Sequence, residues 1–351
     1  VLIIGKTIRG SRAWIDFGWF TFQPSEITKV LFVLALAGFL DKNSKELYKW
    51  QQLILPILML FGNVGLILLQ PDFSSTLVYF PVFLVMLYCA GANILHLYSL
   101  IFYGLISISI PLLRTLLVPI LKKNSFLFGV LDYKIELLYL VLLTGLFLFL
   151  LWWFLKRWKI EIPIFYFIFV YILFISGIFS SYFVGKSIKE HQRKRLVVFI
   201  NPKVDPLGSG YNIIQSKIAV GSGKIFGKGL FNGTQAQLGF LPAQHTDFIF
   251  SLISEEMGFV FSIIMIILYG LFLWRIVNIA YTSRDRYGSL VACGFGAMFA
   301  FYIIVNIGMV VGLMPITGLP LPFVSYGGSS LISSLICLGI LLSINIRRFM
   351  Y

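Results

Sequence analysis

Asp247 stands in the run Pro242-Ala243-Gln244-His245-Thr246-Asp247-Phe248-Ile249-Phe250, between a Gly- and Lys-rich stretch and a long apolar segment. A carboxylate held at the surface of a bilayer can take a proton from a hydroxyl, as a general base. It can also hold a hard divalent cation against a phosphate. The plainer role for Asp247 is structural: Thr246 would cap a helix, and Asp247 in the first turn would complement the helix dipole. On such a helix Ser251, Ser254 and Gly258 would share its face, making that face small and polar and leaving room for a pocket. Glu255 and Glu256 follow two turns deeper, where an acid is costly unless paired or functional.

Two further acids stand at helix ends. Gln23-Pro24-Ser25-Glu26 precedes an apolar segment, and Lys29 is placed for an i,i+3 ion pair with Glu26. Gln70-Pro71-Asp72 closes another, where Asp72 either contributes to a site or caps the next helix. Gly221-Ser222-Gly223-Lys224-Ile225-Phe226-Gly227-Lys228-Gly229 resembles a phosphate loop in composition only. A nucleotide P-loop needs Gly, four residues, then Gly-Lys-Ser/Thr; Lys228 is followed by Gly229, so an ATP site is excluded. Backbone amides of a Gly/Lys loop can still cup a phosphate. Residues 314–329 carry three prolines and no charge, and irregular backbone of this kind is tolerated at membrane depth only where protein buries it or it lines a cavity. Glu26 with Lys29, Asp72, the Gly/Lys loop with Asp247, and this Pro/Gly loop all fall on one side of the membrane in the topology read below.

Those residues must be positioned by membrane-spanning helices. The 351 residues are 59% hydrophobic and 12% charged, with 35 Phe, far below the roughly 25% charge of soluble domains. Mean hydropathy is +0.92. Apolar segments near the 20 residues that a span requires occur at 24–40, 52–69, 74–90, 94–120, 136–155, 162–185, 257–274, 289–312 and 329–346. The expected fold is therefore an all-α polytopic membrane protein with about nine spans in this chain. A short amphipathic helix is expected over 211–220. Cys89, Cys293 and Cys337 sit in apolar runs without metal or disulfide spacing. His96 and His191 have no partner readable in the sequence.

Orientation follows the Lys and Arg of short loops. Lys42, Lys45 and Lys49, then Lys156, Arg157 and Lys159, then Arg275, Arg284 and Arg286, then Arg347 and Arg348 fall on one side, the cytoplasmic one. Lys122, Lys123 and Lys134 are an exception. Residues 186–256 form a long extracytoplasmic loop that carries Arg193, Arg195, Lys217, Lys224 and Lys228. Loops this long translocate largely regardless of charge, so these cations are either merely solvated or bind an anion. The net charge of +14 matches cytoplasmic anchors and contact with anionic membrane lipids. No soluble basic domain is present, so nucleic acid is excluded as a partner.

Several motifs together resemble the SEDS family (shape, elongation, division and sporulation) of bacterial cell-wall proteins. They are Ser11-Arg12-Ala13-Trp14-Ile15-Asp16, Phe22-Gln23-Pro24-Ser25-Glu26, Gln70-Pro71-Asp72, Asp205-Pro206-Leu207-Gly208-Ser209-Gly210-Tyr211, His245-Thr246-Asp247-Phe248-Ile249-Phe250, and Pro320-Leu321-Pro322-Phe323-Val324-Ser325-Tyr326-Gly327-Gly328-Ser329. Asn232-Gly233-Thr234-Gln235 with Phe240-Leu241-Pro242, and Asn306-Ile307-Gly308-Met309, resemble the elongation branch, with the division branch a close second. The resemblance implies one SEDS-type domain over 1–351, with earlier spans missing ahead of Ser11 and a helical pair inserted at 100–165. Val1 to Ile4 read as the tail of an apolar segment already under way.

The resemblance also implies peptidoglycan glycosyltransferase activity on lipid II and a growing glycan strand, at the outer face of the bacterial cytoplasmic membrane. Asp247 would be the essential acid, with a divalent cation (Mg²⁺ or Mn²⁺) as a candidate cofactor on it. Glu26, Lys29, Asp72, Arg193, Arg195, Lys217, Lys224, His245 and Ser325 are the candidate substrate-binding or cavity residues. A class B penicillin-binding protein is the implied partner. Two other classes stay open: a flippase for lipid-linked precursors, and a scaffold that only positions a transpeptidase.

Overall fold

The computed structural model describes residues 5–8, 11–16, 18, 21–70, 72–117, 134–158, 164–187, 195, 197–199, 202, 208–237, 239–240 and 244–348. The chain is mostly helical and packs as two units, one built from residues 1–93 with 206–351 and the other from 94–205.

The first unit opens with three short antiparallel strands in the order β1 (Lys6–Ile8), β2 (Ser11–Asp16), β3 (Thr21–Phe22). This small sheet was not anticipated, because its strands are too short to show alternation. Then follow α1 (Pro24–Lys42), α2 (Ile54–Leu69) and α3 (Phe73–Cys89). The second unit holds α4 (Ile94–Leu117), α5 (Lys134–Arg157) and α6 (Ile164–Ser187), with α6 packed on both others. Segment 100–165 lies within this unit, and the expected polar break at 121–133 lies outside the described residues. The first unit resumes with α7 (Ser209–Ser222), the one-turn α8 (Thr234–Gln237), α9 (Ile249–Thr282), α10 (Arg286–Val311) and α11 (Gly328–Arg347).

Each of the nine expected apolar segments therefore contains a helix, and the amphipathic segment at 211–220 is α7. Among the described residues four helical stretches are long and apolar enough to cross a membrane: Trp50–Leu69, Ile249–Thr282, Arg286–Val311 and Gly328–Arg347.

Helix α10 is the axis of the first unit, with α1, α3, α7, α9 and α11 packed on it. Val291, Ala292, Phe295, Phe299, Met309 and Val310 are wholly buried. At Gly294 a Cβ would meet Val33 Cγ1 at 2.6 Å and Met86 Sδ at 2.8 Å, so the missing side chain lets α10 seat against α1 and α3. Close approach at small residues is how helices associate where lipid supplies no hydrophobic drive.

Helix α9 is broken at Gly258, whose φ of 76° and ψ of −172° are not helical. A break frees carbonyls above it and amides below it, and hydrocarbon cannot satisfy them. The Gly/Lys loop does so. Lys228 and Gly229 donate their backbone N–H to the carbonyls of Glu255 (3.1 Å) and Glu256 (3.0 Å), while Phe259 and Val260 donate to Lys224 (2.9 Å) and Ile225 (3.2 Å). Glu255, with no exposed surface, fixes the loop from within. Its carboxylate accepts from Lys228 Nζ at 2.7 Å, Thr234 Oγ1 at 3.0 Å and the Gln235 amide at 3.2 Å. The glycines serve this contact: a Cβ on Gly223 would fall on the Ser254 carbonyl, and one on Gly227 on the Glu256 carbonyl. The Lys228 and Gly229 amides are thus spent on α9 rather than on an anion.

Gly227→Ala is expected to lower stability by about 1–3 kcal/mol, through the clash and its positive φ. Gly221→Ala, where an added Cβ meets open space, should hold or raise it. Thermal unfolding of both variants in detergent checks the contrast.

Candidate functional site

The starts of α1, α3 and α11, the end of α10 and the turn before α9 meet at one end of the first unit. Gln23, just ahead of α1, ties three of them: its backbone N–H donates to Ser329 Oγ on α11 at 2.8 Å, and its Nε2 donates to Asp72 Oδ2 at 2.9 Å. Asp72 caps α3, accepting from the Ser75 amide at 3.2 Å and from Ser75 Oγ at 2.7 Å. Its carboxylate is engaged by capping and cross-linking, the role the turn before α3 suggests.

Glu26 and Lys29 form the expected i,i+3 pair, with Lys29 Nζ 2.6 Å from Glu26 Oε1. Both are buried, at 6% and 2% exposure. Desolvated charges need more than one partner, and Tyr302 of α10 provides it. Lys29 Nζ donates to its hydroxyl, which donates in turn to Glu26 Oε2 at 3.4 Å. A small cleft beside this triad is lined by Glu26, Tyr302, Pro320, Pro322, Ser325 and Ser330. Pro320, Pro322 and Ser325 of the Pro/Gly loop thus face this cleft while Ile316, Leu319 and Leu321 are buried in protein, the two settings that such backbone tolerates.

That loop is anchored along its length. Ser74 Oγ donates to the Thr317 carbonyl, Asn306 Nδ2 to the Leu319 carbonyl at 2.7 Å, and Tyr269 OH to the Pro322 carbonyl at 2.7 Å. The Phe323 ring packs against Phe272 (centroids 5.6 Å apart) and Phe299 (5.7 Å). Ser325 Oγ accepts from the Leu321 amide and donates to the Thr246 carbonyl, both at 2.7 Å. Ser325 thus braces two loops with both hydrogen-bonding functions in use.

Asp247 belongs to a turn over residues 244–248, and the helix starts at Ile249 with Phe248 as N-cap. The expected Thr246 cap, with Asp247 in the first helical turn, is not realised. External donors hold three successive carbonyls out of helical register: Tyr326 N–H on His245 (2.8 Å), Ser325 Oγ on Thr246 (2.7 Å) and Asn306 Nδ2 on Asp247 (3.1 Å). Phe248, 2% exposed, anchors the turn from below. On the serine face of α9, Ser251 and Ser254 are buried and engaged within the protein. Ser251 pairs with Ser216 Oγ of α7 at 2.8 Å, and Ser254 Oγ donates to the Phe250 carbonyl at 2.7 Å.

Asp247 is half-buried and His245 is exposed, and neither lines the cleft at Glu26. Lys217 is exposed on α7, and its side chain lies across Gly312 at the end of α10. Lys224 is exposed with φ of 49°. Arg195 is half-buried within the second unit, and Arg193 lies outside the described residues. No group of three or more His, Cys, Asp or Glu capable of holding a metal occurs among the described residues. Tyr302 and Asn306 were missed as functional neighbours. Their signal was two polar side chains one turn apart on an apolar helix, where each must find a partner.

A family model described as cell cycle protein, for FtsW, RodA and SpoVE, matches residues 1–120 and 126–349. Peptidoglycan glycosyltransferase RodA of Treponema pallidum is 37% identical, over 99% of this chain and 79% of its own length. Stage V sporulation protein E of Bacillus subtilis is 34% identical, over 97% and 73%. Peptidoglycan glycosyltransferase MrdB of Escherichia coli is 32% identical, over 99% and 74%. Among solved structures, a chain from work on the coordination of polymerization and crosslinking by a peptidoglycan synthase complex superposes with a TM-score of 0.60 and 29% identity. That match covers 100% of this chain and 78% of the other. The rod shape determining protein RodA of Thermus thermophilus gives 0.56 and 26%, covering 100% and 74%.

Removing one member of the Glu26–Lys29 pair leaves a buried charge uncompensated. Glu26→Gln or Lys29→Met alone is expected to cost about 3–5 kcal/mol, and the double variant distinctly less than their sum. A double-mutant cycle of thermal unfolding in detergent reads the coupling.

Proposed function

This chain belongs to the family of cell cycle proteins that includes FtsW, RodA and SpoVE, and from that premise we propose that it is a peptidoglycan glycosyltransferase that polymerises lipid II into glycan strands for cell elongation. The single observation that carries the proposal is the setting of Asp247. Side chains from α10 and the Pro/Gly loop fix its turn ahead of a spanning helix, at the end of the unit where Glu26, Lys29 and Asp72 gather.

The reaction joins a sugar hydroxyl to the anomeric carbon of a second, lipid-linked sugar. The new C–O bond forms as the bond from that carbon to the pyrophosphate oxygen breaks. Asp247 takes the hydroxyl proton, and the lipid pyrophosphate leaves with the electron pair. Lys217 and Lys224, exposed on the same unit as Asp247, are proposed to offset the charge that develops on the leaving group. An Asp without His or Cys neighbours at ligand spacing in the sequence suits a hard ion such as Mg²⁺ or Mn²⁺, which keeps waters and shares substrate phosphates. Asp247 would hold such an ion against the pyrophosphate, where it would supply charge neutralisation.

The Asp247 end of the unit is assigned to the outer face, and all nine long helices to the membrane. Support comes from the opposite end, which carries Lys42, Lys45, Lys49, Arg284, Arg286 and Arg347. A class B penicillin-binding protein is the proposed partner, in keeping with a structural relative described as part of a complex that coordinates polymerization with crosslinking.

Purified protein in vesicles with labelled lipid II tests the reading. Asp247→Ala and Asp247→Asn should each cut strand formation by about 10²–10⁴-fold without changing thermal stability. Chelation of divalent ions should slow the intact protein, and added Mg²⁺ or Mn²⁺ should restore it. Strands that persist in Asp247→Ala would overturn the enzymatic assignment; lipid translocation indifferent to that change would favour the flippase.

A further inference from the structure

The loop that caps the break in α9 also points large apolar side chains outward. Ile225, Phe226, Leu230 and Phe231 are 59%, 82%, 60% and 80% exposed. They lie on a rigid frame. Besides the four backbone bonds to α9, Gly227 N–H donates to the Gly223 carbonyl at 2.8 Å and Asn232 N–H to the Gly229 carbonyl at 3.1 Å. Gln237 Nε2 closes on the Phe231 carbonyl. Phe231 is held at φ of 61°, a conformation that a bulky residue adopts only when its surroundings impose it. Exposed apolar groups in such number on a fixed scaffold mark a surface meant to be covered.

The geometry of α9 says what covers them. Its 34 residues would extend about 51 Å as one helix, well beyond a hydrocarbon core of about 30 Å. The part after the break, 259–282, is still about 36 Å long and spans that core alone. The exposed apolar belt of α9 begins immediately below the break, with Phe259, Val260 and Phe261 at 60%, 42% and 40% exposure. Above it, Ile249, Leu252, Ile253 and Met257 are only partly exposed. Gly258 therefore marks the edge of the acyl region. Lys224 and Ile225 bond to Phe259 and Val260, the first residues of the belt, so the loop sits at that same edge.

We propose that residues 224–231 are an interfacial wedge, inserted into the acyl boundary of the bilayer, with phospholipid as the occupant of this surface. Ile225, Phe226, Leu230 and Phe231 enter the hydrocarbon edge, and the exposed Lys224 reaches back to the phosphate level. The wedge continues the lipid-facing surface of α9 around the break. It sets the height of the helix start that follows Asp247, independently of the reaction assigned to that residue.

Depth measurement tests the wedge directly. Single spin labels are placed at Phe226→Cys, Phe231→Cys or Leu230→Cys, in full-length protein whose Cys89, Cys293 and Cys337 are replaced by Ala, reconstituted in phosphatidylglycerol/phosphatidylethanolamine vesicles without any partner. Phe259→Cys serves as the lipid reference and Arg284→Cys as the aqueous one. Collision with dissolved oxygen should exceed collision with a water-soluble nickel chelate at the loop sites. Their oxygen-to-chelate ratios should approach that of Phe259→Cys and stand several-fold above that of Arg284→Cys. Chelate-dominated relaxation at the loop sites that express, with Phe259→Cys still lipid-like, would overturn the proposal. The reading uses any one of the three loop variants, so poor expression of one does not remove the test.

Discussion

A backbone that leaves helical geometry at membrane depth must find a partner for every polar group it frees. This constraint organises the first unit. The break at Gly258 is closed by the Gly/Lys loop, whose amides and carbonyls replace the missing turn on both sides. The Pro/Gly loop meets the same demand through Ser74, Tyr269 and Asn306. In each case a neighbouring segment of the protein supplies what water would supply elsewhere.

Charge follows the same logic. Glu26 and Lys29 are stable out of water because they face each other and share the Tyr302 hydroxyl. Glu255 is stable because Lys228 and three further donors surround it. The two clusters bracket the polar end of the unit, one beneath the Pro/Gly loop and one beneath the Gly/Lys loop. Both are built from residues far apart in sequence.

Much of this was legible in the chain. Nine apolar segments gave nine helices, because a long apolar run leaves the backbone no other way to satisfy itself. The Glu26–Lys29 pair followed from its i,i+3 spacing, and capping was one of the two roles the sequence left open for Asp72. What could not be read were the tertiary donors. Thr246 carries a cap-forming side chain, yet the helix starts later because Asn306, Ser325 and Tyr326 claim the preceding carbonyls. The glycines of 221–229 suggested an anion cradle; close approach to the carbonyls of Ser254 and Glu256 explains Gly223 and Gly227 instead. The serines of α9 left room for a pocket on paper; their partners, α7 for Ser251 and its own helix for Ser254, could not be read. Local pattern gives an element; which neighbour it meets is decided by the fold.

Asn306 spends both amide hydrogens across one gap, on the carbonyls of Asp247 and Leu319. A single planar group therefore rivets the acid-bearing turn to the Pro/Gly loop. Neither can slide without tilting that amide or dragging the other along. Motion at this end of the molecule is thereby ganged: a ligand that shifts one strand of the mouth reshapes the opposite lip as well.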